Sequence, residues 1–407
     1  MQALEYRFDL PRYLAMRASR GKVRALSYGP YGALRLTDVP QPRRPGPDWL
    51  ELEPLLSGIC GTDVAIVTAK ASPLLEPVAS FPAVMGHEIV ARVVRPPEPA
   101  GPFAPGDRVV VDPFLHCAVR GLEPCDNCRA GRTSACRNVT RGRFAPAMIL
   151  GTCRDLPGGW AQRMVAHRSQ VFKVPGGLPD ESAVLAEPLS VALHGVLKAP
   201  PPPGAQVLIV GGGTIGLLTL AALRLLGLDC RVSIVVRHPA QQALALRLGA
   251  DEAVRGGTGT ALDLACSRTH AHLHRPTLGR PVLDWGFDLV FDCAGTPASL
   301  DDALRAARPG GAVILLGCAG VAPNLDWTLV WSRELQVLGS CGYGIESYRG
   351  DRLHTIALAL QLLAAQPEYP VRDLVTHRFP LADYRKALRT AIEGKGAGAV
   401  KVVFQPA

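Results

Sequence analysis

Val207-Leu208-Ile209-Val210-Gly211-Gly212-Gly213-Thr214-Ile215-Gly216 decides the fold. Four consecutive apolar residues read as a buried strand, and Leu217 to Leu226 carries helical periodicity. Between them lies Gly-x-Gly-x-x-Gly, which in a strand–turn–helix context is a dinucleotide-binding fingerprint. Gly211 permits the tight turn, Gly213 lets the backbone approach a pyrophosphate, and Gly216 lets helix and strand pack closely. Thr214 and Ile215 open the helix, whose N-terminus attracts phosphate. A strand–helix turn that binds nothing is the alternative.

Working outward, Arg231 to Val236 reads as a second strand and Ala240 to Leu248 as a second helix. Phe287 to Asp292 and Ala312 to Leu316 are further buried strands with helices between them. Alternation of continuous apolar strands with helices predicts an α/β, doubly wound parallel sheet, here over residues 188–339. The second strand ends in Ile234-Val235-Val236 and is followed by Arg237-His238. An acid near this point would grip the ribose hydroxyls of NAD. An Arg there can instead pair with a 2′-phosphate, which favours NADP over NAD. Arg237 stacked on adenine or turned to solvent is the other reading.

The texture before Glu187 differs. Short strands and Pro-Gly turns predict a β-rich domain over 1–187, and 340–407 is expected to return to it. That tail carries a helix at Leu353 to Ala364 and strands at Leu374–Phe379 and Ala399–Phe404. Residues 1–20 read as a polar, arginine-bearing extension without a period.

The bulk properties bound the rest. The chain has 407 residues, 48% hydrophobic and 19% charged, which fits a well-packed globule of two domains. The formal charge of +9 reads first as a solvated, arginine-rich surface, with attraction of anionic ligands such as nucleotide phosphates as the other reading. There is no dense basic tract with interleaved aromatics, which argues against nucleic acid. The start lacks a basic segment before an apolar run, so no secretory signal is read, and a cytoplasmic protein is expected. The most apolar run, Val207 to Leu223, is too short and too glycine-interrupted to span a bilayer. Four of the 11 cysteines cluster between Cys117 and Cys136, which points to metal rather than a disulfide framework.

Two constellations carry chemistry. Cys125-x-x-Cys128 with Cys136 after it and Cys117 before it offers four thiolates, suited to a closed, structural zinc. His116 is an outside candidate for the upstream ligand, and a redox pair is the competing reading. The second constellation runs Gly58-Ile59-Cys60-Gly61-Thr62-Asp63, then Gly86-His87-Glu88, then Ala186-Glu187-Pro188-Leu189. Cys60 and His87 are metal ligands by chemistry, and Glu88 and Glu187 are the oxygen candidates. Glu187 falls at the junction of the two predicted domains. A zinc there would polarise a carbonyl or acidify an alcohol, and Thr62 would pass the alcohol proton towards solvent. His194 reads as structural. His270, His272 and His274 read as an exposed insertion, with a metal-binding strand as the alternative.

Together these motifs resemble the zinc-dependent medium-chain alcohol dehydrogenase family, from about Val23 to Phe404. Leu248-Gly249-Ala250-Asp251, Asp292-Cys293-Ala294-Gly295 and Pro309-Gly310-Gly311 are lesser echoes. The resemblance implies a GroES-like catalytic domain, a Rossmann domain, reversible oxidation of an alcohol with NAD(P), and homodimers or homotetramers. The Glu-Pro-Leu version is similar to the polyol, sugar and threonine dehydrogenase branch. It implies that Cys60, His87 and Glu88 bind zinc, that Glu187 binds zinc or its water, and that two zincs are held per chain. Three departures stand out. Leu122 replaces the first cysteine of the usual lobe, so Cys117 must substitute. Ala65 stands where a relay histidine is often found. The N-terminal extension and the segment 256–286 are not typical. The expected function is a zinc-dependent oxidoreductase acting on a small-molecule secondary alcohol, polyol or sugar-like compound. A nucleotide-binding redox sensor, a nucleic-acid-associated relative, or a zinc-free quinone reductase are the competing classes.

Overall fold

A computed structural model describes residues 1–19, 23–318 and 320–406, without the side chain of residue 395. The chain forms two compact units. One comprises Met1–Glu187, Tyr343–Pro367 and the segment from Val375 onward; the other comprises Pro188–Gly342 and Glu368–Leu374. The returning tail thus begins three residues later than position 340 and is interrupted by a short stretch that stays with the second unit.

The second unit is built on a six-stranded sheet. Its order is Glu252–Arg255, Cys230–Val236, Ala205–Val210, Phe287–Asp292, Ala307–Leu315 and Gln336–Gly339, and every neighbouring pair is parallel. In chain order this is 3-2-1-4-5-6, the doubly wound Rossmann arrangement. The strands are apolar because helices cover both faces. Leu208, Val210, Val290 and Val313 pack with Leu262, Ala265, Leu300 and Leu304 in one core. The helix Thr214–Leu225 buries nine of its residues, which is why its apolar content is nearly continuous.

The segment 256–286 is partly folded into this unit. Its helix Thr260–Thr269 buries Ala261, Leu262, Leu264 and Ala265, and a small hairpin joins Leu273–His274 to Val282–Leu283. His270, His272 and His274 are exposed, and His272 pairs with Asp284 at 3.0 Å.

The first unit holds a mostly antiparallel sheet. Its order is Val375–Pro380, Lys401–Gln405, Trp49–Gly58, Glu88–Arg95, Arg108–Val111 and Val171–Lys173, and Met164–His167 also pairs with the central Trp49–Gly58. The N-terminus is more ordered than its sequence suggests. Gln2–Tyr6 is a strand paired with Leu34–Asp38 and Ala83–Val84, with Ala3, Leu4 and Tyr6 buried. Asp9 caps the helix Leu10–Ala18, accepting the Arg12 N–H at 2.9 Å. Only Met16 of that helix is buried while Leu10 and Leu14 are exposed, so no apolar stripe marks it in the sequence. Arg20, which closes the extension, lies outside the described residues. No helix among the described residues is long and apolar enough to cross a membrane.

Candidate active site

Cys60 occupies the N-cap of the helix Gly61–Val67. Its backbone N–H donates to the Asp63 carboxylate at 2.9 Å, and the other Asp63 oxygen lies 3.4 Å from His87 Nδ1. One buried carboxylate therefore fixes both the thiol-bearing turn and the imidazole, leaving His87 Nε2 as the free ligand atom. Thr62 Oγ1 is 3.8 Å from Cys60 Sγ. Glu88 opens the strand Glu88–Arg95 directly opposite Gly58. A Cβ at Gly58 would overlap the Glu88 carboxylate, and one at Gly86, where φ is +93°, would overlap the Trp160 ring. Gly58 and Gly86 are thus required by close approach. Trp160 Nε1 donates to Gly58 O at 3.1 Å, tying the two segments together.

Ligand atoms of Cys60, His87 and Glu88 lie within 4.8 Å of one another. Donors about 2.0–2.3 Å from a tetrahedral zinc sit about 3.3–3.8 Å apart, so the set and its S, N, O chemistry fit that ion. Glu187, in the first turn of the helix Ala186–Lys198, is outside this triplet. It is buried, and its Oε1 accepts from the Tyr343 hydroxyl at 3.0 Å. Burial pushes its carboxyl up to about 8; Glu88 adds to the shift, while His87, Tyr343 and Lys401 oppose it. Burial pulls the His87 imidazolium down, but Asp63 and Cys60 outweigh it, so the net direction is upward.

Lys401 is the site residue that sequence reasoning missed. Its Nζ lies 2.7 and 2.6 Å from the two Glu88 oxygens and 3.3 Å from Ile59 O, and both side chains of the pair are buried. Burial pulls the Lys401 ammonium down, yet Glu88 and Cys60 hold it above the usual lysine range. Its one sequence signal was a single charge inside the apolar run Val400-Lys401-Val402-Val403-Phe404.

The cysteine lobe gathers all four sulfurs. Cys117, Cys125, Cys128 and Cys136 lie within 4.8 Å of one another, and Cys117 and Cys136 sulfurs are 3.5 Å apart. Cys117 therefore takes the position that Leu122 leaves vacant, and His116 is not in the cluster. The Cys125 N–H and the Asn138 side chain donate to Cys117 Sγ, each at 3.3 Å.

In the second unit Gly211 has φ +113°, and a Cβ at Gly216 would overlap Gly211 O. A Cβ at Gly213, the N-cap of the Thr214–Leu225 helix, would meet nothing within 4 Å. That open approach at a helix N-terminus, where the macrodipole is positive, fits a pyrophosphate. Val236 is buried and Arg237 exposed; Arg255, also exposed, ends the neighbouring strand opposite Val236. This second cation escaped sequence reading because pairing between strands, not proximity in sequence, places it.

The family model described as "Alcohol dehydrogenase GroES-like domain" matches residues 46–176, and that described as "Zinc-binding dehydrogenase" matches 214–357. The chain is 30% identical over 361 residues to a sorbitol dehydrogenase of Arabidopsis thaliana, covering 88% of this chain and 89% of that protein. It is 30% identical over 350 residues to an L-idonate 5-dehydrogenase of Vitis vinifera, covering 85% of each. A zinc-binding dehydrogenase from Sinorhizobium meliloti 1021 solved with NADP shares the fold, with a TM-score of 0.68, 28% identity, and coverage of 92% of this chain and 95% of that one. GroES-like and Rossmann units in this order, matched by both models and by relatives along most of their length, place the chain in the zinc-dependent medium-chain alcohol dehydrogenase family, in the branch of the sorbitol, idonate and threonine dehydrogenases.

Proposed function

We propose that this protein is an NAD(P)-dependent zinc dehydrogenase that interconverts a secondary alcohol, polyol or sugar-like compound and its carbonyl. The observation that carries the reading is the convergence of Cys60, His87 and Glu88 in a chain that also bears the Gly211 loop. Zinc at Cys60, His87 and one glutamate would supply Lewis acidity, and a nicotinamide would exchange the hydride. The chain's own residues do the rest. Asp63 orients both Cys60 and His87. Lys401 neutralises Glu88, which limits the negative charge gathered around the metal ligands. The half-buried Thr62 hydroxyl takes the substrate proton and passes it outward, with Ala65 offering no group to continue the relay. Glu187 orients a water or substrate hydroxyl through its hydrogen-bonded carboxyl.

The four-cysteine lobe would hold a second, structural zinc. Arg237, supported by Arg255, favours NADP over NAD. The exposed edge strand Gln336–Gly339, with Val321, Trp327 and Trp331 exposed in the segment before it, suits assembly into a homodimer or homotetramer. A cytoplasmic location fits a soluble nicotinamide pool. Zinc per chain, by elemental analysis of wild type and of the Cys60→Ser and Cys128→Ser variants, tests the reading. Two equivalents in wild type and one in each variant are expected. Unchanged zinc in Cys60→Ser would contradict it and raise the non-enzymatic nucleotide-binding class.

A further inference from the structure

Behind Glu187 lies a buried polar chain that the proposed reaction does not use. The Tyr343 hydroxyl that donates to Glu187 is fully buried, with Phe114 packed edge-on at 5.4 Å. Asp112 is also fully buried. Its Oδ1 accepts the Phe114 N–H at 3.0 Å. Its Oδ2 makes no hydrogen bond of good geometry, yet lies beside the Tyr343 hydroxyl and 3.3 Å from His354 Nε2. The Ile356 N–H donates to His354 Nδ1 at 3.3 Å, so Nδ1 is an acceptor and Nε2 carries the hydrogen that points at Asp112. The His354 ring stacks on Phe172 at 4.5 Å. Ile345–Tyr348 and Asp351–His354 form an antiparallel hairpin, and Thr355 clamps its ends, its N–H and Oγ1 both donating to Gly344 O at 2.9 and 2.8 Å, which holds His354 near Tyr343.

We propose that Asp112 and His354 are positioning residues for the reaction centre, fixing the Glu187 carboxyl through the Tyr343 hydroxyl that both carboxylates flank. The physical case is one of donors. The phenol donates its one proton to Glu187 Oε1, while Asp112 Oδ2 flanks the same hydroxyl. His354, held by the Ile356 N–H and stacked on Phe172, sets the place of the Asp112 carboxylate beside the phenol. A flexible water at this place would leave Glu187 free to rotate; a buried phenol does not. Groups that orient a metal-site residue in this way are worth about 10–100-fold in metal affinity or turnover.

The inference rests on the proposed function, and its test separates the two. Zinc retention at the Cys60 site is measured by chelator competition on the full chain, with kcat and KM for a reacting polyol beside it. Tyr343→Phe, Asp112→Asn and His354→Phe should each release zinc about 10–100-fold more readily and lower kcat more than they raise KM. His354→Gln, which keeps an N–H near the Nε2 position, should return to within about threefold of wild type. Wild-type affinity and kcat in both Asp112→Asn and His354→Phe would overturn the inference, even if their melting temperatures fall. A wild-type protein that holds no zinc through Cys60 would overturn the proposed function, and this inference with it.

Discussion

Replacing Lys401 by Met removes the ammonium paired with Glu88 while keeping most of the side-chain volume. The ammonium now sits 2.6 and 2.7 Å from the two carboxylate oxygens, and the side chains are 3% and 2% exposed. At that burial the pair's net worth over an apolar replacement is small, because desolvation offsets attraction. Removing one partner is different, since it strands a charge, and costs about 3–5 kcal/mol. Here the stranded Glu88 would also face the Cys60 thiolate and Glu187. Exposing Trp49 and Trp160, both buried in this unit, makes fluorescence a direct reporter of its urea unfolding. With a urea slope of about 3 kcal/mol/M, the midpoint of Lys401→Met should fall by about 1–1.7 M. The double variant Lys401→Met/Glu88→Leu removes both charges and should recover most of the loss. Chelated protein should show the larger drop, because no bound cation then compensates Glu88. A midpoint within about 0.2 M of wild type, or a double variant no better than the single one, would refute the reasoning.

Cys60→Ser should abolish turnover while nucleotide binding, measured by nicotinamide fluorescence, survives. Arg237→Ala should weaken NADPH binding at least about tenfold and NADH binding far less, because only the former carries the 2′-phosphate; equal losses in titration would remove that role. Cys117→Ser should lower zinc by one equivalent and lower the melting temperature of the first unit, which differential calorimetry would read. Gly86→Ala should destabilise by several kcal/mol, about 2–4, since its φ of +93° and the Trp160 ring both oppose a Cβ; an unchanged melting temperature would contradict the close approach.

Much of this was legible in the sequence because local patterns carried it. The Gly211 loop sits between a continuous apolar strand and a periodic helix, so the strand–turn–helix unit and its ligand chemistry follow from one window. Gly58 and Gly61 flank Cys60 and Gly86 precedes His87-Glu88, and the structure gives Gly58 and Gly86 their reason, close approach to Glu88 and Trp160. The cysteine lobe was readable from spacing, even with Cys117 displaced. What escaped was long-range. Lys401 meets Glu88 across 313 positions of sequence, and Tyr343, Asp112 and His354 meet through a hairpin whose register no local period encodes. Arg255 reaches the Val236 level only through parallel pairing. The helix Leu10–Ala18 was missed for the opposite reason: it buries a single residue, and so leaves no stripe to read.

The central claim is hydride exchange at a metal held by Cys60 and His87. Its most direct test is nicotinamide reduction by a panel of secondary alcohols and polyols, with NAD and NADP, in wild type and Cys60→Ser assayed side by side. The account predicts reduction by at least one polyol in wild type, loss of at least about a thousandfold in Cys60→Ser, and loss on chelation that zinc restores. Full activity in Cys60→Ser, or no reduction by any alcohol in zinc-replete wild type, would contradict it.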